Sequence, residues 1–223
     1  MTLRFFEKMV RWEKILEIEK GVTRVTELCL VRHGQTDWNF QEIIQGREDI
    51  PLNALGHQQA EESAAFLSQE EWDVIVASPL TRAVDTARYI AEACGFHEET
   101  IIRDERFIER EFGMASGKPV PGIYEAVQAD DQTRVPGLES EDEMRARVLE
   151  GMEHLVKTYP GKRIIVVCHS HAIKAALSAV DDTYTFRHAM RNACSNYIEH
   201  KGDRFIIKAV NVADHITNEI MVK

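Results

Sequence analysis

Three short apolar runs, each followed at once by charged or titratable residues, restrict the fold of this 223-residue chain more than any other feature. Stretches with helical periodicity separate the runs, and that alternation is typical of a parallel sheet covered by helices on both faces. We therefore predict an α/β fold, a three-layer α/β/α sandwich with a mostly parallel central sheet. The carboxyl ends of parallel strands lie at one edge of a sheet, so the polar residues should converge there. The runs are 28–31, 72–77 and 163–168, followed by Arg32-His33, Ser78-Pro79 and His169-Ser170.

Capping residues and chain breakers delimit the predicted helices. Asn53 is a candidate N-cap for a helix that runs to about Leu67. Ser78 as cap, with Pro79 at the first helical position, opens the next helix, which should end at Gly95. The remaining predicted elements are a helix over about 140–159, a short helix after His171, and closing β segments near 195–200 and 204–211.

Two segments lie outside this alternation. Residues 1–24 place Met9 and Trp12 at helical spacing, which predicts an amphipathic helical extension before a domain that spans 25–223. The apolar face of this helix should dock on its own domain or on a neighbouring copy of the chain, so we expect a role in stability or in homo-oligomer assembly. Residues 113–138 are rich in glycine and proline, which predicts an irregular, lid-like insertion.

Composition and charge exclude several classes of protein. With 44% hydrophobic and 29% charged residues, the chain has the composition of a globular protein and not of a disordered one. A net charge of −10 argues against diffuse attraction to nucleic acid or to an anionic membrane, and no apolar run approaches the roughly 20 residues that span a bilayer. The four cysteines show no CxxC spacing, which favours reduced, buried thiols and a cytoplasmic location.

The residue types at the predicted sheet edge suit one kind of ligand. Two arginines, Arg32 and Arg82, and two histidines, His33 and His169, follow the predicted strands. Guanidinium groups match phosphate oxygens bidentately, and a neutral imidazole can attack phosphorus, so the set favours chemistry on a phosphate monoester. A metal-dependent hydrolase that uses His169 and His171 is an alternative, but no second ligand cluster with convincing spacing accompanies them.

Longer motifs extend this pattern along the chain. LVRHGQTDWN at 30–39 is followed in order by SPL at 78–80, EREFG at 109–113 and VVCH at 166–169. Together they resemble the signature of the histidine phosphatase superfamily, the phosphoglycerate mutase-like proteins, over about residues 27–213. The resemblance implies the phosphatase branch: a metal-independent phosphomonoesterase that acts on a small phosphorylated metabolite through phosphohistidine and needs no cofactor.

The resemblance also implies roles for individual residues. His33 matches the nucleophile that becomes phosphohistidine. Arg32 and Arg82 match clamps on the phosphoryl oxygens, and His169 completes the pocket. Such a set stabilises a transferring phosphoryl group by position and charge, and it needs no metal ion.

Glu109 matches the family's proton donor, which protonates the leaving alkoxide and then deprotonates the attacking water. A phosphate dianion beside this carboxyl should raise its pKa towards the working pH. Glu111 lies two residues further on and would point the same way in an extended segment, so it is a rival for the role. The Phe112-Gly113 register favours Glu109.

Further residues match substrate-side positions in the family. Ser170 stands where the family usually has glycine, and its N–H at a helix N-terminus can still reach phosphate. His171 then either lines the pocket mouth or caps the helix that follows, and we favour capping. The complete substrate-side set is Gly34, Thr36, Asn39, Gln45, Arg110 and Ser170.

Two other functions stay open beside the phosphatase. A phosphoglycerate mutase should carry a longer substrate-enclosing insertion and a longer carboxyl tail than this chain has, so water should reach the phosphohistidine more readily here. A phosphate-sensing protein without catalysis is also compatible with the fold, but His33, Glu109 and His169 are more than binding requires.

Overall fold

A six-stranded sheet forms the centre of the computed structural model, which describes residues 25–217. In chain order the strands are β1 (Val25–Arg32), β2 (Val74–Ala77), β3 (Ile102–Arg103), β4 (Arg163–Cys168), β5 (Ser195–Lys201) and β6 (Arg204–Val212). Their order across the sheet is β3-β2-β4-β1-β5-β6. Strands β1 to β4 run parallel to one another, and β5 and β6 add an antiparallel pair at one side. The predicted mostly parallel sheet is confirmed.

Six α-helices connect and cover the strands within the described residues. They are α1 (Asp37–Phe40), α2 (Ala54–Leu67), α3 (Thr81–Ala93), α4 (Val120–Gln128), α5 (Glu141–Thr158) and α6 (Ser170–Val180). Asn53 caps α2 as predicted, because its side chain accepts the N–H of Gly56 at 2.9 Å. Ser140 caps α5 in a capping box with Glu143.

Alternate side chains of β1 enter two separate cores. Leu28 and Leu30 pack on one face of the sheet with the apolar sides of α5 and α6. Cys29 and Val31 pack on the other face with α2 and α3. Successive strand residues point to opposite faces, so a strand that is apolar throughout must be covered on both. The three-layer α/β/α sandwich is thereby confirmed.

The predicted insertion at 113–138 is more ordered than its glycines and prolines indicated. It contains the nine-residue helix α4, and it buries Val127 and Leu138 with Phe112 in a small apolar cluster of its own. Proline at the start of α4 is compatible with a helix because the first N–H groups need no intrahelical partner. The irregular-segment prediction was therefore wrong over α4.

One local prediction fails, and one short strand is missed. Helix α3 begins at Thr81 with Leu80 at the N-cap position, so Ser78 does not cap it. Strand β3 was not predicted because it has only two residues, both exposed, and therefore leaves no pattern in the sequence.

The predicted amphipathic helix in 1–24 lies outside the described residues. Between 25 and 217, none of the helices is both long and apolar enough to cross a bilayer.

Candidate active site

The ends of three parallel strands bring the predicted active-site residues together. The N–H of His33, just after β1, donates to the carbonyl of Cys168 at 3.0 Å. The N–H of Ser78, just after β2, donates to Val167 at 2.9 Å. The rings of His33 and His169 consequently lie with centroids 5.2 Å apart. Convergence at one sheet edge, predicted from the order of strands and helices, is confirmed.

A close approach of two backbones shapes the turn after His33. A Cβ atom on Gly34 would lie 2.2 Å from the carbonyl oxygen of Gly56, and a Cβ on Gly56 would lie 1.9 Å from the carbonyl oxygen of Gln35. The N–H of Gly34 donates to the hydroxyl of Thr86 at 3.2 Å. Gly34 does not line the pocket, so its position explains the need for glycine by packing and not by contact with substrate.

Two hydrogen bonds define the tautomer of His33. Its Nδ1 lies 2.6 Å from the carbonyl oxygen of Gly34, which can only accept, so Nδ1 carries the proton. Its Nε2 accepts the Nε–H of Arg82 at 3.3 Å. The lone pair of the ring is therefore on Nε2, on the side of the ring that faces Arg82, and His33 lines the pocket.

The two arginines are held by carbonyl groups of the main chain. Arg82 is buried and donates to the carbonyls of Glu48 and Gly46 at 2.7 and 2.8 Å. Arg32 donates to the carbonyl of Met190, and its Nε is buried without a hydrogen-bond partner among the described residues. A buried, unsatisfied N–H at this place is a donor that a phosphate oxygen can accept.

His169 is completely buried beside His33. Its Nε2 lies 2.7 Å from the hydroxyl of Ser78, and its Nδ1 is buried without a partner in the described part of the chain. Sequence reasoning assigned Ser78 to a helix cap, whereas its hydroxyl orients this histidine. His169 does not line the pocket itself, so it completes the site from behind His33.

Burial and neighbouring cations keep both histidines neutral. Burial is the largest effect on His33, followed by the positive charge of Arg82, and together they hold its pKa well below the ordinary value. Burial and Arg82 also lower the pKa of His169 well below the usual range. Burial lowers the pKa of Arg82 to about 10, which leaves it protonated at neutral pH. The site therefore combines neutral imidazoles with fixed positive charges.

Glu109 occupies the same pocket, as predicted for the proton donor. Its Oε1 accepts the N–H of Arg110 at 2.8 Å. Burial opposes ionisation of this carboxyl, but contacts with His171, with His169 and with that N–H outweigh burial and hold its pKa well below the ordinary value. This direction is opposite to the raised pKa predicted beside a phosphate dianion. The two negative charges of a phosphate ester would act against the contacts and favour the protonated carboxyl.

Glu111, the rival candidate, does not line the pocket. Its Oε1 accepts the N–H of Gly113 at 2.9 Å, and its other oxygen lies 3.9 Å from Nε of Arg47 at the surface. The placement of the two carboxylates therefore favours Glu109 for the role of proton donor.

Two substrate-side candidates lie in the pocket, and a third orients them. Asn39 and Gln45 both line the cavity. Thr36 is fully buried and donates from its hydroxyl to Oε1 of Gln45 at 2.9 Å, while its N–H donates to Oδ1 of Asn39 at 3.2 Å. Because both amide oxygens are engaged, the NH₂ groups of Asn39 and Gln45 are the ones that can donate to a ligand.

Arg110, predicted to bind substrate, is not brought into the pocket. It is 1% exposed, donates from Nε to the carbonyl of Glu139 at 2.8 Å and forms an ion pair with Asp130. Its guanidinium carbon lies 5.7 Å from the ring centroids of both Phe112 and Phe186. Here the structure disagrees with the sequence prediction, because the partners that withdraw this arginine, Asp130 and Glu139, lie 20 and 29 residues further along the chain.

Ser170 and His171 line the pocket at the N-terminus of α6. His169 occupies the N-cap position of that helix, and no side-chain hydrogen bond caps it. The preference for His171 as a helix cap was therefore wrong, and the alternative that it lines the pocket is confirmed.

The outer wall of the pocket is mostly apolar, with Gln128 as a polar residue of α4. The cavity has a volume of about 170 Å³. The sequence analysis predicted none of these outer residues. Aliphatic and aromatic residues give the same sequence pattern whether they line a cavity or pack in a core. The apolar and aromatic lining residues are Ile43, Ile44, Phe112, Val120, Tyr124 and Val127.

Comparison with known proteins assigns the chain to a family. Residues 28–213 match the family model of the histidine phosphatase superfamily, branch 1. The chain is 36% identical over 198 residues to an uncharacterized phosphatase, PhoE, of Bacillus subtilis, covering 88% of this chain and all of that one. It is 31% identical over 222 residues to a metal-independent phosphoserine phosphatase of Arabidopsis thaliana, covering 95% and 91% of the two chains.

A solved structure gives the same result for the fold. The mycobacterial glucosyl-3-phosphoglycerate phosphatase in complex with VO3 superposes with a TM-score of 0.73 at 29% identity, over 83% of this chain and 98% of that one. Other relatives are named probable phosphoglycerate mutases.

Fold and site together define a phosphate-ester hydrolase with a histidine at its centre. The chain belongs to the histidine phosphatase superfamily, branch 1. It is a phosphatase.

Proposed function

We propose that the chain hydrolyses phosphate monoesters whose alcohol portion is apolar and carries no carboxylate, and that His33 holds the phosphoryl group between two steps. The observation that carries this proposal is the division of the pocket. Its inner end contains the arginines, His33 and Glu109, whereas its outer wall is formed by Ile43, Val120, Tyr124 and other apolar residues.

In the first step, the lone pair on Nε2 of His33 attacks phosphorus and the bond from phosphorus to the alcohol oxygen breaks. The Nδ1–H bond to the Gly34 carbonyl keeps that lone pair on Nε2 and stabilises the positive charge that develops on the ring. Arg32 and Arg82 hold the equatorial oxygens, and Glu109 gives its proton to the leaving alkoxide.

In the second step, Glu109 acts as a base. The carboxylate that remains after the first step accepts a proton from water, and the water oxygen attacks the phosphorus of phosphohistidine. The bond between phosphorus and Nε2 of His33 breaks, inorganic phosphate leaves, and the carboxyl is protonated again. One carboxyl thus serves both steps in two protonation states.

The outer wall argues against a substrate with a carboxylate. Arg32 and Arg82 are the only arginine or lysine side chains that line the described pocket, and both lie at its phosphate end. Arg110, the further cation that could receive a carboxylate, is buried against Asp130 and Glu139. Placing a carboxylate against Val120 and the neighbouring apolar residues would remove water from the charge without a partner.

A phosphoglycerate mutase is the second candidate, and relatives that carry this name favour it. A mutase must keep a bisphosphate bound while the intermediate turns round, so it needs cations at both ends of the pocket. The absence of an outer arginine or lysine among the described lining residues supports the phosphatase instead.

The cellular setting belongs to the same proposal. We propose that the protein acts in the cytoplasm on a small phosphorylated metabolite. Support comes from the four cysteines, Cys29, Cys94, Cys168 and Cys194, which are all free in the structure, as is typical of reducing compartments.

The test compares esters that differ in one charge. O-phosphoserine and its methyl ester have the same reacting oxygen, but only the first carries a carboxylate. We expect kcat/KM to be at least about tenfold higher for the methyl ester and higher again for butyl phosphate, with excess chelator present throughout. Equal or faster hydrolysis of O-phosphoserine would overturn the assignment of an apolar substrate, and loss of all hydrolysis with chelator would overturn the metal-free mechanism.

A further inference from the structure

The second carboxylate oxygen of Glu109 faces His171. The N–H of His171 donates to Oε2 of Glu109 at 3.5 Å, and Nδ1 of the same histidine lies 3.8 Å from that oxygen. Hydrogen bonds of this kind are about 2.7–3.2 Å long when fully formed, so both contacts are longer than the usual range. Both residues line the pocket, so the contact lies beside the reacting groups.

Two buried phenylalanines fix the ring of His171 in this place. The ring of Phe112 meets it edge-on, with centroids 5.1 Å apart and planes at 82°, and the ring of Phe186 lies 6.0 Å away. Both phenylalanines are buried. Because the ring is wedged between them and does not cap α6, its direction towards Glu109 is set by packing.

We propose that His171 is a positioning residue for Glu109: its imidazole donates Nδ1–H to Oε2 and holds the carboxyl in the direction from which it exchanges protons with the alcohol and with water. This inference rests on the proposed function, in which Glu109 is the acid of the first step and the base of the second. The family resemblance implies no such role for His171, because the matching motif ends at Ser170, where the family usually has glycine.

Burial and the charges around His171 keep its imidazole neutral, so His171 acts on Glu109 as a neutral donor. Burial, followed by the positive charge of Lys174, lowers the pKa of His171 to about 4, although the contact with Glu109 acts in the other direction. Arg110 is the second cation that faces it. A neutral imidazole gives Glu109 a hydrogen bond without adding a charge to the pocket.

Glu109 itself is faced by several other groups. Its carboxylate charge acts on Arg32, Arg82 and Lys174, and His169 also favours its ionised form. A hydrogen bond from His171 is strongest when Glu109 is ionised, so it lowers the pKa of the carboxyl. Removal of that donor should therefore raise the pKa of Glu109.

The experiment compares His171→Ala with His171→Asn. The side-chain NH₂ of asparagine stands the same number of bonds from Cα as Nδ1 of histidine, so it can restore the donor without the ring. We expect His171→Ala to reduce kcat about tenfold more for butyl phosphate than for 4-nitrophenyl phosphate, because only the alkyl alkoxide needs a well-placed proton. We expect His171→Asn to recover most of that ratio.

The pH dependence of phosphohistidine hydrolysis separates positioning from a structural role. In rapid-quench measurements, the limb that rises as Glu109 ionises should move to higher pH by about one unit in His171→Ala and return in His171→Asn. The rate ratio and the limb are both independent of the amount of folded enzyme. An unchanged ratio and limb in His171→Ala would overturn the inference, and so would equal defects in both variants. Absence of hydrolysis in the unmodified protein would overturn the proposed function instead.

Discussion

The inner and the outer halves of the pocket are built in different ways. At the inner end, the titratable groups are buried and hydrogen-bonded to main-chain atoms: Arg82 to two carbonyls, His33 to the carbonyl of Gly34, and Glu109 to the N–H of Arg110. The outer wall consists of α4 and adjoining residues, and one of them, Tyr124, is 48% exposed. Hydrogen bonds to main-chain atoms of the loops thus hold the titratable groups, whereas the mostly apolar outer wall lies where we propose that the alcohol portion binds.

This difference predicts which amino-acid substitutions each half of the pocket tolerates. A displaced nucleophile or arginine loses several directed contacts at once, because each is held by geometry from more than one element. An exchanged apolar residue in the outer wall alters only the shape and polarity around the alcohol. Substitutions at the inner end should therefore change the rate for every ester, and substitutions at the outer end should change the ranking of esters.

The largest effect is expected at the nucleophile. His33→Ala should lower kcat by more than about 10⁴-fold with every ester, because the proposed mechanism carries the phosphoryl group on Nε2 of His33. Acid-labile, base-stable phosphate on the protein, measured after a quench with labelled substrate, should disappear. The control is His97→Ala at an exposed position. Retention of protein-bound phosphate in His33→Ala would move the nucleophile elsewhere.

The next effect separates two neighbouring carboxylates. Glu109→Gln should lower kcat for butyl phosphate by about 10²–10⁴-fold and for 4-nitrophenyl phosphate much less, because a phenolate leaves without a proton donor. Glu111→Gln is the matched control and should change neither rate by more than about threefold, since Glu111 lies outside the pocket. A larger defect in Glu111→Gln would transfer the role of proton donor to that residue.

A smaller effect is expected in the outer wall. Tyr124→Arg places a cation beside the alcohol portion and should improve O-phosphoserine relative to butyl phosphate by about tenfold in kcat/KM. Met114→Arg adds the same charge on the same segment but outside the pocket lining, so its ranking of esters should match the unmodified protein. Equal shifts in both variants would show a general effect of charge and would contradict the division of the pocket.

The smallest effect on activity is expected at Arg110. Arg110→Met should keep the ranking of esters and kcat/KM within about twofold, while the free energy of unfolding, measured in urea, falls by about 2 kcal/mol through loss of the buried ion pair with Asp130. Arg88→Met removes two exposed ion pairs, with Asp85 and Glu98, and should cost less than about 1 kcal/mol. A selective loss of carboxylate-bearing substrates in Arg110→Met would restore its predicted role at the substrate.

Sequence reasoning was most successful where a feature depends on neighbours along the chain. The apolar run 163–168 and the cap at Asn53 are local signals, and both elements form as predicted. The motifs also predicted the inner end of the pocket, because each motif is a run of neighbouring residues. It was least successful for polar side chains whose hydrogen-bond or ion-pair partners are far away along the chain.

Two residues illustrate that limit. Ser78 has the sequence context of a helix cap, but its hydroxyl contacts His169, which is 91 residues away along the chain. Arg110 lies inside a catalytic motif, but Asp130 and Glu139 withdraw it from the pocket. None of these three partners can be identified from sequence spacing, because the contacts exist only after the sheet and the insertion have folded together.

The contact between Gly34 and Gly56 sets a limit on any attempt to redesign this protein. A single methyl group at either position would collide with a carbonyl oxygen at 2.2 Å or less, and no side chain at the contact can move aside to make room. The turn that carries His33 would have to shift, and a displacement of about 1 Å at a reacting group can cost about 100-fold in rate. Libraries aimed at new substrates should therefore vary α4 freely and leave these two glycines untouched.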